Sequence, residues 1–269
     1  MRHFCLLCAV FAFSGLFATS ARGADEAAAD TKGEAGGFSF EGQVLIPTSY
    51  VFRGYVLLED HFIVQPEATV SYETKFGDLT VTPYLTAWAN LTDASAPGDP
   101  EWFNEFDLYL GVDIELPHGF TLGLVYDYYN SPANVFDDDH ELGITLSHDD
   151  FLHPSIGLYR EVCNHGGKEN TYIELGIEPG FDMPKFEKLR IDFPMKVGLT
   201  PDEYYTDDSG DGEVFGYWMV GLTGTYAIND NWSLIAGVDY VQLTADSTEA
   251  SNHGDDHQIV GRFAVKFSH

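Results

Sequence analysis

Glu105-Phe106-Asp107-Leu108-Tyr109-Leu110-Gly111-Val112-Asp113-Ile114-Glu115-Leu116 alternates without interruption. Phe106, Leu108, Leu110, Val112, Ile114 and Leu116 form a wholly apolar set. Glu105, Asp107, Tyr109, Gly111, Asp113 and Glu115 form a polar set with four carboxylates. Only a β-strand places period-two positions on opposite faces. A run of about a dozen such residues is long enough, when tilted, to cross a bilayer. Strands of soluble sandwiches rarely keep large apolar side chains at every second place over that length.

The pattern recurs outward from this segment. Glu67, Thr69, Ser71 and Glu73 alternate with Ala68, Val70 and Tyr72. Glu141, Gly143, Thr145 and Ser147 alternate with Leu142, Ile144 and Leu146. Gly261, Phe263, Val265 and Phe267 alternate with Arg262, Ala264, Lys266 and Ser268. About twelve strand segments can be marked on this basis, the first at 38–50 and the last at 257–267. Segment 214–228 alternates poorly, because Phe215, Tyr217 and Met219 face opposite Val214, Trp218 and Val220. Packing against an inward loop is one reading of that departure; a weak element is the other.

The breaks between strands carry equal information. Short ones at Lys75–Asp78, Pro117–Gly119 and Asn229–Asn231 alternate with long polar ones at 90–102, 130–139, 163–170, 200–213 and 244–256. Intermediate breaks at His148–His153 and Phe181–Lys188 fall, by alternation, with the short ones. The expectation is an all-β fold, a single transmembrane antiparallel up-and-down barrel of about twelve strands with both ends periplasmic. Trp102, Phe103, Tyr126, Tyr128, Tyr129, Trp218, Trp232 and Tyr240 lie near strand ends, as two interfacial girdles require.

The beginning of the chain fits export. Arg2 and His3 precede an apolar run from Phe4 to Ala18 and small residues Thr19 to Ala21, the three regions of a secretory signal. Residues 1–23 are read as the signal peptide, 24–37 as a flexible acidic leader and 38–269 as the barrel. The apolar run is shorter than the roughly 20 residues of a spanning helix, and no later run is longer. Cys5 and Cys8 leave with the signal, so Cys163 has no internal disulfide partner. Loss of Arg2 and Arg22 takes the formal charge from −30 to −32. That balance excludes a nucleic-acid footprint and favours cations near the surface.

Tyr50-Val51-Phe52-Arg53-Gly54, followed by Asp60, Gln65-Pro66 and Tyr72, resembles the TorF-type porin family of small bacterial outer-membrane proteins. That family has a Tyr-x-Phe-Arg-Gly element near its start, a Gln-Pro pair and a later Glu-x-Asp-Leu-Tyr stretch, matched here by Glu105–Tyr109. The acidic loops and the His269 ending depart from its pattern. The resemblance implies one barrel from Phe38 to the C-terminus and a porin role. Read on its own residues, Gly54 permits a tight bend where the first strand reaches its loop. Arg53 is placed to enter the lumen and pair with a carboxylate such as Glu67.

With the polar face inward, the lumen would present Arg53, Glu67, Glu73, Glu105, Asp107, Asp113, Glu115, Asp127, Glu141 and Arg262, with Arg190, Lys196 and Lys266 as further cations. Carboxylate rings favour cations. The expected function is therefore passive diffusion of small cationic or neutral solutes through the outer membrane. The alternative is a closed structural or surface-binding barrel whose acidic loops bind divalent cations or a partner. The partners expected are outer-membrane lipid and small solutes or cations. No cofactor is expected.

The loop Asp207-Asp208-Ser209-Gly210-Asp211-Gly212-Glu213 approaches a calcium loop, but the twelve-residue template puts Trp218 where a bidentate Glu belongs. Asp207, Asp211 and Glu213 remain weak metal candidates, as do His253, Asp255 and His257. An enzyme is not expected: Ser147 and His148 face opposite sides of a strand, and the rim Asp and His residues at 137–140 and 253–257, which a barrel hydrolase could use, have nothing in the sequence that fixes their geometry.

Overall fold

The computed structural model describes residues 36–93, 102–132, 137–162 and 169–269. The signal region, most of the leader and Cys163 lie outside them. Its strands are β1 (Gly37–Pro47), β2 (Ser49–Phe52), β3 (Tyr55–Glu59), β4 (Ile63–Phe76), β5 (Leu79–Thr92) and β6 (Phe103–Leu116). Then follow β7 (Phe120–Asn130), β8 (Asp139–His148), β9 (Ser155–Glu161), β10 (Thr171–Ile177) and β11 (Gly180–Asp182). The chain ends with β12 (Leu189–Asp192), β13 (Met195–Leu199), β14 (Phe215–Ala227), β15 (Trp232–Leu243), helix α1 (Asp246–Ser251) and β16 (His257–Ser268).

All but β2 and β3 form one antiparallel sheet that closes on itself as a 12-strand barrel. β1 pairs with β4 on one side and with β16 on the other. The ring has twelve places because β10 with β11, and β12 with β13, each share one. Phe193-Pro194 separates β12 from β13, and both halves pair with β14. Proline offers no N–H to a ladder, so the interruption falls where the sequence demands it. The stretch between the breaks at Phe181–Lys188 and 200–213 thus holds two short strands and not one.

Side chains sort by face as the alternation requires. Val70, Leu85, Ile144, Leu222, Val238 and Phe263 point outward and are exposed, whereas Asp107, Asp127, Glu141 and Asp239 point inward and are buried. An outward apolar surface of this extent matches lipid and not water. At the turn end, Phe38 lies 4.8 Å from Tyr72, and Phe267 packs 5.0 Å from Trp232 and 6.1 Å from Phe40. Tyr126, Tyr128 and His140 cluster outward at the opposite, loop end. Tyr129 departs from the girdle expectation: it faces the lumen and is buried against Phe52 and Tyr109. Its neighbour Tyr128 has the opposite parity and takes the outer face.

The loop between β1 and β4 is the main departure from the expected fold. Residues read as the end of the first strand and its loop form a separate two-stranded sheet, β2–β3. This hairpin folds into the barrel.

Candidate functional site

Hairpin β2–β3 crosses the lumen from the β1/β4 wall to β8–β10 on the far side of the ring. Its turn is Arg53-Gly54, with φ of 51° and 86°. Positive φ at both central residues is the pattern of a type I′ turn, the hairpin turn that matches strand twist. Glycine enters that conformation freely, but arginine does so at a cost of about 1–2 kcal/mol. A Cβ at position 54 would stand 2.9 Å from the Tyr217 ring, so the tip also needs glycine for its close approach to β14.

The arginine is held by its contacts. Its Nη1 and Nη2 donate to Glu141 Oε1 and Oε2 at 2.7 and 2.6 Å, a bidentate pair buried on both sides. The guanidinium carbon lies 4.2 Å from the Tyr172 ring centroid, 4.8 Å from Phe52 and 5.0 Å from Tyr159. Tyr205 donates its hydroxyl to the Arg53 carbonyl at 3.0 Å. Burial holds the Tyr205 hydroxyl well above its usual pKa, so it stays a neutral donor. The sequence reading paired Arg53 with Glu67; the partner is Glu141, because the hairpin carries the arginine across the lumen and away from β4.

Aromatic packing seats the hairpin on both flanks. Tyr50 packs 5.6 Å from Trp88, and Phe52 and Leu58 join Ile63, Tyr109 and Tyr129. On the other flank, Val56 joins Tyr84, Val125, Tyr159, Tyr172 and Tyr217. Loops close over the top: Tyr55 donates to the Tyr204 carbonyl at 2.6 Å, and the Val56 N–H donates to Ser251 Oγ of α1 at 2.9 Å. The irregular apolar face of β14 is now explained, since Tyr217 and Met219 point inward against this hairpin.

The ten lumen candidates divide by depth. Glu105, Asp107, Asp127 and Glu141 are buried at the level of the hairpin, with Arg53 among them. Asp107 accepts the Tyr109 hydroxyl at 2.9 Å, and Glu141 also accepts that of Tyr129 at 3.1 Å. Glu67, Asp113 and Glu115 lie half-buried nearer the turn end, and Glu73 is exposed there. Arg262 sits on the other half of the wall, bonded to Asp239 at 2.6 Å and Thr223 at 3.0 Å.

Charge is unevenly distributed round the ring. On β10 to β16 the inward cations meet carboxylates: Lys196 with Glu174, Arg190 with Asp192, and Arg262 with Asp239. On β6 to β9 the inward face carries Glu105, Asp107, Asp127, Asp139, Glu141 and Glu161, and Arg53 is the cation bonded there. Asp139 and Glu161 were absent from the sequence-derived set. Glu161 was within reach, since Gly157, Tyr159 and Glu161 share a parity; Asp139 was lost by starting its strand one residue late. Between the hairpin and the β10–β16 wall lies a cavity lined by Tyr172, Glu174, Lys196, Asp239 and Arg262. Its cavity volume is about 80 Å³.

The loop candidates for metal do not converge. Asp207 caps its own turn through the N–H groups of Ser209 and Asp211, and Glu213 accepts from the Asp246 N–H. His253 pairs with Glu59 of the hairpin at 3.0 Å, His257 pairs with Asp256, and Asp255 is exposed. Among the described residues the groups whose ligand atoms lie together are Asp139, Glu141 and Glu161.

Residues 31–267 match the family described as bacterial protein of unknown function (Gcw_chp). The chain belongs to this family. That family's description names no activity, so the TorF-type porin likeness of Tyr50–Gly54 stays a resemblance. No curated protein matches the chain. Among solved structures it is similar to an outer-membrane channel from Pseudomonas putida F1, at 9% identity and a TM-score of 0.49 over 86% of this chain and 95% of that one. It is similar to the KdgM porin at 9% identity and 0.47 over 85% and 98%. The translocator domain of the autotransporter NalP from Neisseria meningitidis gives 12% identity and 0.42 over 88% and 90%. At such values these are likenesses of barrel form, and they assign no activity to this family member.

Proposed function

We propose that the protein is a narrow outer-membrane channel that admits small cations and neutral solutes in preference to anions. It would be exported on residues 1–23 and act without a cofactor, and its conducting section would be set by hairpin β2–β3. The observation that carries this reading is the closed barrel with acidic side chains on its inner face, crossed at one level by an ordered hairpin. The excess of carboxylates on β6 to β9, with the cations of β10 to β16 already paired, supports cation preference.

Planar-bilayer recording of the mature protein under a salt gradient tests this proposal. Discrete steps with a cation-selective reversal potential are expected, and anion-selective steps would refute the selectivity. A second reading, a closed structural barrel, draws on the buried Arg53–Glu141 pair and the aromatic packing on both sides of the hairpin. Silence from a barrel shown to be inserted would favour it.

A further inference from the structure

Asp127, Glu141 and Glu161 occupy one inward row on β7, β8 and β9, since Asp127 is paired in register with Glu141 and Glu141 with Glu161. Like charges directly opposite one another in a ladder repel, and this row repeats the repulsion twice inside a buried space. Carboxylate oxygens of Asp139, Glu141 and Glu161 lie within 4.8 Å of one another. That separation is about twice a calcium–oxygen bond of ~2.4 Å.

A cluster of acids alone would be an insufficient warrant. Asp127 supplies the independent one: it has no exposed surface, and neither of its carboxylate oxygens has a hydrogen-bond partner. Buried carboxylates are normally satisfied, so a doubly orphaned one directly opposite Glu141 calls for a positive ligand on this row. The other three are partly engaged. Glu141 takes Arg53 and Tyr129, Glu161 accepts the Asn170 N–H at 2.7 Å, and Asp139 accepts the His140 N–H at 2.7 Å.

We infer that Asp139, Glu141 and Glu161, flanked by Asp127, form a site for one hard divalent cation of the calcium class, inside the barrel, in competition with Arg53 for Glu141. All the donors are carboxylate oxygens, which select calcium or magnesium over softer metals. The mixed strand origins and uneven spacing suit the adaptable shell of calcium better than the octahedron that magnesium requires. Because the guanidinium and the ion share Glu141, occupancy would loosen the hairpin tip. The site stands whether or not the lumen conducts.

The test is terbium luminescence of the purified mature protein after chelation, sensitised by the nearby tyrosines, with calcium as the displacing ion. One saturable site displaced by calcium is expected. Glu161→Gln should weaken it by roughly tenfold or more, as loss of a ligand charge does, and the near-isosteric Asp127→Asn should do the same. Arg53→Asn should tighten it by roughly tenfold through the removed competition. The double change Asp207→Asn with Asp211→Asn, in the external loop, should leave it unaltered. Wild-type protein without a saturable site would overturn the inference. So would binding that survives both Glu161→Gln and Asp127→Asn, or that disappears with the loop variant. Should one lumen variant fail to fold, the other decides.

Discussion

An Arg53→Asn barrel should melt well below the wild type and conduct in larger, noisier steps. Two effects act on this residue in opposite directions, and their sizes decide the outcome. Asparagine suits the first position of a type I′ turn better than arginine does, which returns about 1–2 kcal/mol of backbone strain. Removal of the guanidinium leaves Glu141 buried without its bidentate partner, and breaking a buried pair from one side costs about 3–5 kcal/mol. The loss therefore exceeds the gain. The stacked position over Tyr172 and Tyr159 is vacated as well. Because the turn itself is improved, a lower melting temperature cannot be blamed on a spoiled hairpin. Thermal unfolding in detergent, followed by electrophoretic mobility with and without heating, reads the stability. An unchanged melting temperature would mean that the ion pair does not anchor the hairpin.

Ile144→Arg should cost about 2–4 kcal/mol of folding stability in vesicles, the penalty for a charge near the bilayer midplane on a barrel's lipid face. Ile144 lies midway along β8, points outward and is flanked in register by Leu124 and Leu158. Thr145, one residue further on, points inward between Gly123 and Gly157, on the same wall as Asp113. Thr145→Arg should therefore cost much less, since its guanidinium remains among polar groups. Urea titration of folding into lipid vesicles compares the two directly. Equal costs, or the larger cost at Thr145, would contradict the assignment of faces.

The wall of this barrel was legible because each strand has one surface against lipid. That requirement imposes strict parity, so Phe103–Leu116 and Trp232–Leu243 could be marked with the bounds they have in the structure. The hairpin was not legible. Tyr50, Val51, Phe52, Val56 and Leu58 pack inside the lumen from both faces of a two-stranded sheet, so no parity separates them. Its turn is Arg-Gly and not the Asn-Gly that announces a hairpin. Apolar residues at 50–58 consequently read as a strand end and loop.

The candidate site shows the same division. Parity identified Glu105, Asp107, Asp127 and Glu141 as inward, and the structure places them there. Parity says nothing of depth, so it could not separate these buried groups from Glu67, Asp113 and Glu115 nearer the turn end. Nor could it reveal that Arg53 meets Glu141, because that contact depends on a loop crossing the ring. The poor alternation of 214–228 was the one trace of the hairpin in the wall itself, through Tyr217 and Met219.

Hairpin β2–β3 is proposed to set the conducting section of an acid-rich barrel. Single-channel conductance of the mature protein, compared with a variant in which residues 49–59 are replaced by a short turn, tests it most directly. Cation-selective steps are expected in the wild type, and a severalfold larger conductance, with selectivity kept, once the hairpin is removed. Equal conductance in two barrels shown to be folded and inserted would contradict it.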